Sequence, residues 1–100
     1  MKGYENRIAI NETLNALKTR VENLVIASIA GVDLGTTFEL IQLQTRAAIH
    51  LKDEGLDEEG IAANINGSVK TGIRQGLQWS KTHLHFEDTQ VVEMWRKFIR

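Results

Sequence analysis

Apolar residues recur at three- and four-residue steps along nearly the whole chain, the spacing that aligns side chains on one face of an α-helix. Ile10, Leu14, Leu17, Val21, Leu24 and Val25 form the first such run, with Asn11 placed to cap its start and Gly31 to end it. The second half of this run, LVIASIAG, is apolar nearly all round, which predicts a central helix buried on several sides. After the turn GVDLG, Thr36 and Glu39 have the spacing of a capping box. Leu40, Leu43, Ala47 and Leu51 then carry a second amphipathic helix toward Gly55, with Thr45, Arg46 and Lys52 off its apolar stripe.

The segment from Asp57 to Ser80 is less regular. Ile61, Ile65, Val69, Ile73 and Leu77 recur every fourth residue, yet Gly60, Gly67, Gly72 and Gly76 interrupt them. Each glycine inside a helix costs roughly 1 kcal/mol relative to alanine. Four residues turn a helix by about 400°, so the apolar row would creep about 160° around one unbroken helix. Asn66 and Gly67 suit a left-handed helix stop, and Ser68 suits the next N-cap. The spacing therefore predicts a third helix from Asp57, a turn at Asn66 to Ser68, and a fourth helix from about Val69 to Lys81. HLHFE is a connector. A last helix, capped by Asp88 or Thr89, places Val91, Val92, Trp95, Phe98 and Ile99 on one side.

The expectation is an all-α fold: one domain over residues 1–100, a compact bundle of about five helices with a helix-turn-helix-like hairpin. Composition agrees. The chain has no proline, where about five would be usual for 100 residues. Its formal net charge of −1 gives no overall basic field to attract nucleic acid, so any such contact must be local. Without cysteine there is no disulfide or thiolate chemistry, and the longest apolar run is far short of the ~20 residues a membrane span needs. A soluble, cytoplasmic protein is expected, with no membrane partner.

Candidate chemistry is sparse. His83 and His85 offer two imidazoles, but Glu87 and Asp88 add no recognisable ligand spacing, and no metal or other cofactor is expected. Ser28, Ser68 and Ser80 lack a nucleophile-elbow context, and no glycine-rich phosphate loop follows a strand. No enzymatic activity and no small-molecule substrate are expected. Asp53, Glu54, Asp57, Glu58 and Glu59 place five carboxylates at the junction of the second and third helices. Dipole capping explains the last three, whereas Asp53 and Glu54 stand near a helix C-terminus, where negative charge is unfavourable. An acidic knob of this kind can occupy a basic groove meant for phosphates. Gly72 and Gly76 mark a face for close approach by a partner, whether another helix or another molecule, and Trp79 beside them is a candidate contact anchor.

Over residues 57–78, Ile61, Ala62, Ile65, Asn66, Ser68 and Thr71 fall where the helix-turn-helix family places its first helix, turn and capping serine. That resemblance would put Lys70, Thr71, Arg74 and Gln78 on a recognition helix in a major groove. Gly67 and Gly72 depart from the family's apolar turn and aliphatic positions, and Lys70, Arg74 and Lys81 supply little charge for phosphate contacts. In size, helical content and acidic knob the chain resembles, in type rather than motif, the phage anti-CRISPR inhibitors, which deny CRISPR effector complexes their target DNA. The resemblance implies a non-enzymatic binding protein acting in the cytoplasm of a host cell on a protein or ribonucleoprotein complex. A helix-turn-helix DNA-binding regulator and a self-associating helical structural subunit are the alternatives.

Overall fold

The computed structural model describes the backbone of residues 2–31 and 35–99, and side chains within those ranges from Asn6 onward. Among these residues there are four α-helices and no strand: α1 (Lys2–Ile29), α2 (Thr36–Asp53), α3 (Glu58–His83) and α4 (Thr89–Arg96). The all-α expectation holds. The molecule measures 47 × 23 × 23 Å, and its long axis is about the length of α1 at 1.5 Å per residue.

α1 is the central helix, as its apolar second half predicts. Leu17, Val21, Leu24, Val25 and Ile29 are buried on it, against Leu40, Leu43, Ala47 and Leu51 of α2 and Ile65, Val69 and Ile73 of α3 within one core. Successive turns of α3 meet successive turns of α1 in the same order: Ser68 at Leu14, Gly72 at Lys18 and Val21, Gly76 at Glu22 and Val25. These two helices therefore run in the same direction. α2 runs back along α1, with His50 near Thr13 and Glu39 near Asn23.

Four sequence expectations are corrected. Asn11 does not cap α1 but lies inside it, because the polar start of the chain is also helical. That first stretch is tied down where Asn6 Nδ2 donates to the Glu54 carbonyl at 3.1 Å. Thr36 is the first residue of α2 and not its cap; the N-cap is Gly35, in a left-handed conformation, with no side-chain cap hydrogen bond. α4 stops at Arg96, and Phe98 and Ile99 follow it in a turn bonded back to Trp95 and Arg96.

The largest correction concerns the break at Asn66 to Ser68, which does not form. α3 is one helix of 26 residues. Gly67 has no positive φ, and the Ser68 hydroxyl donates to the Leu14 carbonyl of α1 at 2.6 Å instead of capping a new helix. Among the described residues the bundle therefore has four helices and no helix-turn-helix hairpin. The creeping row of Ile61, Ile65, Val69, Ile73 and Leu77 needs no break, because the four-residue row beside it packs along a matching row of α1. Leu17, Val21, Val25 and Ile29 form a four-residue row on α1, as Ser68, Gly72, Gly76 and Ser80 do on α3. Two rows inclined alike to their helix axes can lie together when the axes cross.

The α2–α3 turn is built by local signals. Leu56 N–H bonds the Leu51 carbonyl and Gly55 N–H bonds that of Lys52, with Gly55 at φ 93°. This is a Schellman motif, and Leu56 also packs on the core that contains Leu51. Asp57 then caps α3, accepting from Gly60 N–H at 2.7 Å. Asp88 caps α4 in the same manner, accepting from Gln90 N–H. The GVDLG turn has Gly31 and Gly35 at positive φ, while its residues 32–34 lie outside the described residues.

Candidate functional site

The five carboxylates of the acidic junction lie together at one end of the bundle. Asp53 closes α2, Glu54 is its C-cap, and Asp57, Glu58 and Glu59 open α3. All are exposed except Glu54, which is half-buried beneath the contact from Asn6. Three constraints hold this end: the Schellman turn, the Asp57 cap and the bond from α1. An acidic surface with so little backbone freedom loses less entropy on binding than a flexible charged loop would. Among the described residues, no group of three His, Asp or Glu side chains is arranged to hold a metal ion.

Gly72 and Gly76 are buried, and the close partner they mark is α1 of the same chain. A Cβ on Gly72 would stand 2.6 Å from the Lys18 carbonyl oxygen, and one on Gly76 would stand 2.7 Å from Val25 Cβ. This face is closed to a second molecule. Trp79 lies beyond it at 39% exposure, stacked on His83 with ring centroids 4.5 Å apart. His83 Nδ1 also lies 3.0 Å from the Trp79 carbonyl oxygen. The other tryptophan, Trp95, is fully buried.

No family model matches the chain, and no curated protein or solved structure matches it either.

The residues assigned to DNA readout share one side of α3 but have no preceding turn to present them. Thr71 returns its hydroxyl to the Gly67 carbonyl at 2.9 Å, and Gln78 donates to Thr82 at 3.3 Å. Arg74 and Gln78 face the cleft between α3 and α4, a space of about 510 Å³. There Arg74 and Lys81 are joined by Arg96, with Glu87 and Glu93 offsetting part of their charge and Phe86 among the apolar lining residues. The contribution of α4 to this cleft was not legible from spacing, because Arg96 is remote in sequence from α3.

A second feature escaped the sequence reading. Phe38, Ile41 and Ile49 on the outward side of α2 are 66%, 57% and 56% exposed, more than any other large apolar side chain described. The signal was present as a second set of helical spacings, offset from Leu40, Leu43, Ala47 and Leu51. Only one apolar face per helix is needed to explain a core, so the second went unread.

Proposed function

We propose that this protein is a non-enzymatic binding protein that blocks or regulates a nucleic-acid-handling complex by placing its acidic end in a basic groove. The supporting observation is the α2–α3 junction, where Asp53, Asp57, Glu58 and Glu59 stand exposed on a turn held by the Schellman bonds and by Asn6. Carboxylates so placed can engage the arginines and lysines that would otherwise bind phosphates. A CRISPR effector complex denied its target DNA, with the inhibitor encoded by a phage, is the instance we favour. Binding to DNA through α3 is less well supported, since the helix carries Lys70 and Arg74 but no turn of the helix-turn-helix kind.

The test is affinity capture with the intact chain, followed by measurement of the captured complex's DNA binding. The chain is expected to compete with DNA, and competition should weaken with added salt. Reversing Asp57, Glu58 and Glu59 to lysine should abolish capture; it also removes the Asp57 cap, so circular dichroism must establish that the variant folds. Undiminished capture by a folded triple variant would exclude the acidic end as the contact.

A further inference from the structure

We infer that the outward face of α2 is the contact of a homodimer, formed with the α2 of a second copy running antiparallel about a twofold axis at Thr45. The inference shares only Asp53 with the acidic-end reading, and its test leaves Asp57, Glu58 and Glu59 untouched. Thr37, Ile41, Thr45, Ile49 and Asp53 form a four-residue row along α2, and all five are exposed. The row is self-complementary about its centre. An antiparallel pair sets Ile41 against Ile49 of the second copy, Ile49 against its Ile41, and Thr45 against itself, the reciprocity a twofold interface requires. Beside the row, Phe38 comes level with Lys52 of the second copy, whose stem and ammonium can lie on the ring.

Charge selects the second copy as the occupant. Asp53 stands at the C-terminal end of its own helix, where the dipole disfavours it. In the antiparallel pair it comes level with Thr37 of the second copy, in the first turn of that copy's α2. The carboxylate supplies there the negative charge that its own helix end rejects. The polar centre of the row is no obstacle, because the Thr45 hydroxyl bonds the Ile41 carbonyl at 2.9 Å and leaves its methyl group outward. A single helix face from each chain is small beside the roughly 1,000 Å² at which stable interfaces begin. A reversible dimer is therefore expected.

Sedimentation of the full chain over a concentration series, combined with cysteine cross-linking, tests the inference. Because the chain has no cysteine, Thr45→Cys introduces a single thiol at the axis. It should form a disulfide-linked dimer under mild oxidation, whereas Ile41→Cys alone should not, and a mixture of Ile41→Cys and Ile49→Cys chains should. Ile41→Glu and Ile49→Glu, both at exposed positions, should each raise the dissociation constant roughly tenfold or more. Circular dichroism establishes that these variants fold. A chain that stays monomeric at every concentration overturns the inference, as does a dimer that either glutamate variant leaves unchanged. Cross-linking through Ile41→Cys alone, or failure of Thr45→Cys to cross-link, overturns the antiparallel register.

Discussion

Gly72 of α3 and Lys18 of α1 approach so closely that a Cβ on the glycine would lie 2.6 Å from the lysine's carbonyl oxygen. At Gly76 the same approach repeats one turn later, against Val25 and Glu22. The atoms met are backbone carbonyl oxygens and the Val25 Cβ, none of which can yield by rotating a flexible side chain. Glycine is thus kept inside a long helix for closeness, and the helix cost is offset by packing along α1.

Substitution should divide the glycines of α3 into two kinds. Gly72→Ala and Gly76→Ala should each destabilise the protein by about 1–3 kcal/mol, because overpacking exceeds the gain in helix propensity. Gly67 has nothing within 4 Å of its would-be Cβ. Gly67→Ala should therefore stabilise by about 0.5–1 kcal/mol. Urea denaturation of the three variants is the measurement. A stabilised Gly72→Ala would mean that α1 and α3 are not this close, and a destabilised Gly67→Ala would favour a turn at that position.

The two serines in the same row should also differ. Ser68 donates to the Leu14 carbonyl at 2.6 Å, and its replacement by alanine should cost about 1 kcal/mol. The Ser80 hydroxyl is buried without a partner, so Ser80→Ala removes a polar group that gains nothing from burial. That variant should be neutral or more stable, as thermal unfolding would reveal.

Fluorescence separates the tryptophans. Trp79 is 39% exposed and Trp95 is fully buried. Trp95→Phe should leave an emission that acrylamide quenches readily, and Trp79→Phe should leave one that is protected and shifted to the blue. Trp95→Ala should cost about 3–5 kcal/mol. The milder Trp95→Phe also removes an indole N–H that is buried without a partner, which should offset part of its lost volume.

At the acidic end, stability and binding should be separable by residue. Asp57→Ala removes the acceptor for Gly60 N–H and should lower stability by about 1 kcal/mol. Gly55→Ala should cost a similar amount, about 1–2 kcal/mol, because its φ of 93° strains any residue with a Cβ. Asp53→Asn, at an exposed position near the end of α2, should change stability by less than about 0.5 kcal/mol. Chemical denaturation of all three distinguishes residues that build the turn from one that only charges it.

Much of the fold can be read directly from short segments. Gly55 after the α2 run, Asp57 before α3 and Asp88 before α4 act within a few residues of their own positions, and each does in the structure what its type predicts. Asn66, Gly67 and Ser68 carry an equally good local signal for a stop, and there the local reading fails. Ser68 finds its hydrogen bond on α1, 54 positions away, and the helix runs on. Within the candidate site, the acidic junction was legible because its five carboxylates are close in sequence. The cleft that joins Arg96 to Arg74, and the choice of which α2 face is left to solvent, depend on how the helices are arranged.

The sequence by itself determined that this chain is helical, where most of its helices end, and that negative charge gathers between α2 and α3, since periodicity and capping act over one or two turns. Only the tertiary structure decided that α3 is continuous, that Gly72 and Gly76 serve α1, and that Phe38, Ile41 and Ile49 remain outside. A mid-helix glycine costs roughly 1 kcal/mol locally, and what offsets it is contact with a helix some fifty positions away in the chain, which no local pattern encodes.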